Sequence, residues 1–155
     1  MLSNSCRYGI RAVIYLAGKN PRDGNIGIKQ ISADLKLPTP FLAKILQQLA
    51  KNKLLSSTKG PNGGFMLLKK PESVTLLDIV RIIDGDGIFK NCIIHAGTCK
   101  GVKSKGKSCP VHDEYTKIRV ELGNLFRSKT IAELVEKKDP PEKIISGMPD
   151  QSFSL

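Results

Sequence analysis

The chain has 155 residues, with 25 Lys and Arg against 14 Asp and Glu, for a formal net charge of +11; 40% of it is hydrophobic, enough for a modest core and too much for a disordered chain. No apolar run approaches the roughly 18–20 residues of a membrane span. The opening Met1-Leu2-Ser3-Asn4-Ser5-Cys6-Arg7 lacks the apolar segment and cleavage site of a secretory signal, so the expected location is the cytoplasm, with the four cysteines present as thiols or metal ligands rather than disulfides.

Residues 4–18 read as a helix whose expected buried stripe is Ile10, Val13, Ile14 and Ala17, at i, i+3, i+4 and i+7. Asn20-Pro21-Arg22-Asp23-Gly24-Asn25 is a turn cluster, and Ile26-Gly27-Ile28 is short enough to be a small strand. Residues 29–36 predict a second helix, with Ile31 and Leu35 facing inward, broken at Lys36-Leu37-Pro38. Thr39 as N-cap and Pro40 at the first helical position restart a helix over 39–50, with Leu42, Ile45, Leu46 and Leu49 inside. Leu54-Leu55-Ser56-Ser57-Thr58 and Phe65-Met66-Leu67-Leu68 read as strands joined by the glycine-rich turn 59–64. Thr75 and Asp78, at capping-box spacing, open a helix over 75–84 with Leu76, Ile79, Val80 and Ile83 inside. Residues 85–109 read as a loop rich in Gly and Lys. A helix follows over 110–127, in which Val111, Tyr115, Ile118, Leu122 and Leu125 step by 4, 3, 4 and 3 as in a seam between paired helices. Thr130 to Glu133 is a capping box for a last short helix through Lys138, which Asp139-Pro140-Pro141 stops.

The expected fold is therefore mainly α with a small β-hairpin wing: a winged helix-turn-helix over 1–84, a cysteine-rich loop over 85–109, a long helix and a short terminal helix over 110–138, and a mobile tail over 139–155. The charge is concentrated in the first part. Residues 1–74 carry 12 basic and 3 acidic residues; residues 75–155 carry 13 and 11. Clustered Lys and Arg are rewarded by the dense phosphates of nucleic acid through counterion release, so double-stranded DNA is the expected partner. An anionic membrane fits less well, since no segment pairs a Trp-bearing apolar face with a basic one.

In such a unit the 39–50 helix lies in the major groove. Its expected exposed residues are Pro40, Phe41, Ala43, Lys44, Gln47 and Gln48, with Thr39 at its start. Lys44 reaches a phosphate or a guanine edge, and Gln47 or Gln48 pairs with adenine. The wing tip, with Lys59, Gly60, Asn62 and Gly63, is slim enough to approach a DNA backbone. It lacks the Gly-Lys-Ser/Thr ending of a phosphate-binding loop. No Ser/His/Asp set or paired-carboxylate cleft is visible either, so the chain is not expected to be an enzyme.

Cys92, Cys99 and Cys109 lie within 18 residues, with His95 and His112 each three places after a cysteine. Three chemistries suit this set: an iron–sulfur cluster held by thiolates and a histidine, structural zinc, or a loop of oxidant-sensing thiols. Lysines 90, 100, 103, 105 and 107 offset thiolate charge. Cys6, in the first helix, reads as a small buried hydrophobe.

The stretches Arg7-Tyr8-Gly9-Ile10-Arg11-Ala12, Ile31-Ser32, Phe41-Leu42-Ala43-Lys44-Ile45-Leu46-Gln47-Gln48-Leu49, Leu54-Leu55-Ser56-Ser57 and Lys59-Gly60-Pro61-Asn62-Gly63-Gly64-Phe65, followed by the cysteine loop, resemble the IscR/NsrR-type, or Rrf-two, winged-helix transcriptional regulators over about residues 5–138. The resemblance implies a homodimer paired through Val111, Tyr115, Ile118, Leu122 and Leu125, reading a pseudo-palindromic operator. It also implies an iron–sulfur cluster on Cys92, Cys99, Cys109 and His112. The branch carrying a 4Fe–4S cluster takes a carboxylate where this chain has Arg7, which favours 2Fe–2S here. Two departures stand out: a long, lysine-rich interval between Cys99 and Cys109, and Lys59 where the family often has Arg. A zinc-stapled or cluster-free regulator, controlled by thiol oxidation or a partner protein, remains the alternative. An iron–sulfur carrier fits less well with the basic first half.

Overall fold

The computed structural model describes residues 2–94, 97, 98 and 109–136. Among these, the elements run α1 (Asn4–Ala17), a 3-10 turn (Pro21–Asp23), α2 (Ile28–Leu35), α3 (Thr39–Lys51), β1 (Leu55–Thr58), β2 (Gly64–Leu67), a 3-10 turn (Pro71–Ser73), α4 (Leu76–Ile83), α5 (Gly87–Lys90), α6 (His112–Ser128) and α7 (Ile131–Glu136). This is the expected helix-turn-helix, hairpin wing and long helix. His95, Cys99, lysines 100, 103, 105 and 107, the end of the last helix at Lys138 and the 139–155 tail lie outside the described residues.

α1 is the central beam. The Ser3 hydroxyl caps it by accepting from the Cys6 amide, while Ser3 N and Oγ donate to Asp84 at the end of α4. Its buried side is broader than the expected stripe and is turned from it. Cys6, Gly9, Ala12, Val13, Tyr15 and Leu16 are buried, whereas Ile10, Ile14 and Ala17 are only half-buried. The reason is its surroundings: α1 packs on α2, α3, α4, α7 and β2, so no single stripe describes what it buries. A Cβ on Gly9 would stand 2.3 Å from Ile83 Cδ1 and 3.3 Å from Ile45 Cγ2, so the missing side chain lets α3 and α4 close on α1.

The α2–α3 turn is held from inside. The buried Ser32 hydroxyl donates to Leu37 O and shares a 2.7 Å hydrogen bond with Thr39 Oγ1, and Lys36 takes the left-handed conformation that closes α2. Thr39 is therefore not the N-cap. Pro38 holds that place without a side-chain bond, and Thr39 begins the helix with its hydroxyl committed to Ser32. Leu42, Ile45, Leu46 and Leu49 are buried as expected.

β1 and β2 pair antiparallel with Leu55 opposite Leu67 and Thr58 opposite Gly64. The expected strand at 26–28 reduces to one bridge, Ile26 to Phe65, because Ile28 already starts α2. Both bridge bonds form, at 3.0 and 2.9 Å, and Asn25 Nδ2 adds a bond to Thr58 Oγ1. α4 carries the expected capping box, Thr75 with Asp78. The segment read as a loop after it contains the short helix α5. The long helix starts at His112, leaving Val111 as its N-cap.

Candidate DNA-reading face and cysteine site

Residues proposed to touch DNA lie on two neighbouring elements. Along α3, Pro40, Phe41, Lys44, Gln47 and Gln48 are exposed, while Thr39 and Ala43 are half-buried. Ala43 is thus less exposed than its place in the pattern suggested. Phe41 is 42% exposed and rests edge-on against Tyr8, with ring centroids 5.8 Å apart. Arg11 lies 5.9 Å from the Tyr8 ring and donates to Leu35 O. The N-terminal end of α3 is therefore braced by α1 and by the end of α2. Gln48 Nε2 donates to Ile82 O at 2.6 Å, which ties the outer face of α3 to α4. Tyr8, Arg11 and Ser32 were not singled out as site residues. They support α3 from behind, and the only trace of them in the sequence is their place in the matched stretches.

In the wing, Lys59, Gly60 and Asn62 are exposed and Gly63 is half-buried. The two glycines of its returning arm are required by contact. A Cβ on Gly63 would lie 2.2 Å from Thr58 O, and one on Gly64 2.2 Å from Ile26 O. The returning arm is thin because the backbone around Gly63 and Gly64 leaves no room for side chains there.

The cysteine site starts from two chain segments that meet. Cys92 Sγ and Cys109 Sγ are 3.6 Å apart, too far for a disulfide between them, whose S–S bond is about 2.05 Å. Two thiolates on one tetrahedral metal, each about 2.3 Å from it, stand about 3.8 Å apart, so this spacing suits a shared metal. Cys92 Sγ also accepts the Ile94 amide at 3.4 Å, and the Cys92 amide donates to Gly97 O. Amide donors of this kind stabilise sulfur carrying negative charge. Cys109 is buried and Cys92 half-buried. The His112 amide donates to Cys109 O, placing both residues at the start of α6, and His112 Nδ1 is buried without a hydrogen-bond partner among the described residues. No group of three or more His, Cys, Asp or Glu assembles among the described residues, so the structure joins Cys92 to Cys109 but not His112 to the pair. Cys6 stands apart: burial first, and the Asp84 charge second, push its thiol up to about 12, which makes it a poor thiolate ligand.

One residue near this site left no signal in the sequence. Arg119 Nη1 donates to Lys90 O at 2.6 Å and Asn91 O at 3.2 Å, and Nη2 donates to Thr116 Oγ1. It clamps the segment entering Cys92 onto α6.

On α6, Val111, Ile118 and Leu125 are exposed and Tyr115 and Leu122 half-buried. No residue of this 17-residue helix is buried.

The family model described as an iron-dependent transcriptional regulator, Rrf2, matches residues 2–137. A helix-turn-helix transcriptional regulator of Aquifex aeolicus is 30% identical over 87% of this chain and 91% of its own length. The transcriptional regulator IscR of Yersinia pseudotuberculosis is 25% identical over 89% of this chain and 80% of its own. Among solved structures, CymR, the global cysteine regulator of Bacillus subtilis, superposes with a TM-score of 0.71 at 25% identity, over 90% of this chain and 98% of its own. No helix among the described residues is long and apolar enough to cross a membrane.

Proposed function

Because the chain belongs to the Rrf2 family of transcriptional regulators, and is therefore a winged helix-turn-helix regulator rather than an enzyme, we propose that it is a homodimer whose operator binding is set by an iron–sulfur cluster. The observation that carries this reading is the approach of Cys92 and Cys109 to 3.6 Å across the loop. Cys99 is the third ligand in the proposal and His112, with its unmatched buried Nδ1, the fourth. The two-iron form is favoured, since Arg7 stands where the four-iron branch of the family has a carboxylate. When bound, such a cluster supplies a link that oxidants and nitric oxide can break.

The chain's own residues translate that link into geometry. Cys109 and His112 are fixed to the first turn of α6, and Arg119 ties the approach to Cys92 to the same helix. With α6 paired to its counterpart in a second copy, tension in the loop changes the spacing of the two α3 helices. A ligand-state difference of roughly 1–3 kcal/mol between two dimer geometries is sufficient for such a switch. On the DNA, α3 enters the major groove of each half-site of a pseudo-palindromic operator, with Lys44 and Gln47 at base edges or phosphates. Lys59, Gly60, Asn62 and Gly63 follow the backbone beside it. Gln48 contributes only if it exchanges its bond to Ile82 O for one to a base.

The test is an anaerobic absorption spectrum with iron, sulfide and zinc assayed on the same sample, paired with binding to duplexes selected from a random pool. Visible absorption with near-equal iron and sulfide is expected, lost in Cys99→Ala and His112→Ala together with the wild-type operator response. One zinc per colourless chain makes the site a structural staple instead. Variants that bind DNA like the loaded wild type would end the switch reading.

A further inference from the structure

A second site lies on the opposite flank of α6 from the proposed dimer seam. Between α4, α5 and α6 lies an open cleft of about 400 Å³, within the roughly 300–1,000 Å³ usual for small-ligand sites. Its apolar lining is the buried Leu77, the half-buried Phe89 and the exposed Val120, and around these stand four cations, Arg81, Lys90, Arg119 and Arg127, against the one acid Asp86. That acid is already shared by Arg81 and Lys90, at 2.8 and 2.7 Å. Arg119 is held by two carbonyls and a hydroxyl, with Nε buried and unmatched, and Arg127 bonds the amide oxygen of Asn124. Both guanidinium charges therefore meet neutral oxygens, and the rim keeps a formal charge of +3. A concave, partly apolar wall of one sign concentrates counter-ions.

A further feature keeps the pocket open. Gly123 sits inside α6, where glycine costs about 1 kcal/mol relative to alanine. A Cβ there would point toward Phe89 with its nearest atom 3.9 Å away, so among the described residues nothing forbids a side chain at this position. The glycine leaves the lining bare where packing does not require it.

The geometry points to a binding site for a small organic anion, an oxyanion head on the arginines with a compact apolar body over Phe89 and Val120. Lys90 belongs both to this rim and to the segment that Arg119 clamps before Cys92, so occupancy bears on the lead-in to the cysteine pair. The site uses none of the proposed cluster ligands, and its test runs equally on metal-loaded and metal-free protein.

The probe is phenyl phosphate, titrated by calorimetry at fixed ionic strength on the full chain. One molecule is expected per chain, bound at least tenfold more tightly than inorganic phosphate. Gly123→Leu, which fills the cleft, and Arg127→Gln, which removes one cation, should each weaken binding at least tenfold. Lys59→Ala, on the wing, should leave it unchanged. Circular dichroism verifies folding, and if Gly123→Leu does not fold the reading rests on Arg127→Gln. Absence of binding, equal affinity for inorganic phosphate, or equal loss in Lys59→Ala overturns the site. So does a change of sedimentation in Gly123→Leu without loss of affinity, which would make the pocket a contact between copies of the chain.

Discussion

A methyl group at position 64 has no room. It would stand 2.2 Å from Ile26 O and 2.4 Å from Ile26 C, both backbone atoms that cannot swing away. Gly64→Ala must therefore open the Ile26–Phe65 bridge that seats the wing. A loss of about 2 kcal/mol or more is expected in urea unfolding, with weakened operator binding; a loss below about 0.5 kcal/mol would mean the wing base is softer than its contacts imply. The exposed cations act differently. Lys59→Ala should weaken binding to all duplexes alike and reduce the slope of log K against log salt by about 0.9, the share of one phosphate contact. Lys44→Ala should instead alter which duplexes a random-pool selection returns. Unchanged slope and unchanged selection would put the DNA surface elsewhere. The exposure of Lys59 and Lys44 was legible in the sequence, because Lys44 lies off the apolar stripe of its helix and Lys59 in a glycine-rich turn. Tyr8 and Ser32 were not, since their role is to hold other residues through packing and one hydroxyl pair.

At the level of elements, α5 shows what periodicity misses. Four residues make one turn, too few for a repeat to register, so the segment reads as loop from the sequence. It is held by charge: Asp86, immediately before it, bonds Lys90 at its end and Arg81 on α4. These bonds, Lys90 first, hold the Asp86 carboxyl below its ordinary value. A depressed carboxyl contributes stability above its unfolded pKa and loses it as pH falls through the folded one. The stability difference between wild type and Asp86→Asn should accordingly be present at neutral pH and shrink in acid below the usual carboxylate range. A difference that stays constant across that range would mean the carboxylate's charge is irrelevant to docking. The effect is small, as exposed ion pairs are. Capping shows the same division between local and long-range control. The Thr75–Asp78 box forms as read, because all its atoms lie within one turn. The expected Thr39 cap fails, because Ser32 on the preceding helix competes for its hydroxyl.

For the whole molecule, the decisive surface is α6. Ile118 and Leu125 are 58% and 49% exposed two turns apart on a helix that has no fully buried residue and meets its own chain on the flank facing α4 and α5. Such a row is more costly to leave in water than to pair. Ile118→Glu combined with Leu125→Glu should convert a dimer to a monomer in analytical ultracentrifugation, with helical content unchanged and operator affinity reduced at least tenfold. A wild type that sediments as a monomer, or a double variant that keeps both dimer and affinity, would remove the paired-helix reading.

The sequence by itself determined the kind and order of the main elements, the basic first half, the glycine wing and the family. These depend on spacing within a few residues or on composition, which a linear reading contains. Only the tertiary structure decided which side of α1 is buried, where Thr39 spends its hydroxyl, and that Cys92 meets Cys109 from 17 residues away. It also decided that Arg119 clamps a carbonyl 29 residues distant and that cations from three helices rim one pocket. The physical reason is the same in each case. Helix and turn signals are local free-energy preferences, whereas these contacts arise only when separate elements pack, and packing depends on every surface at once.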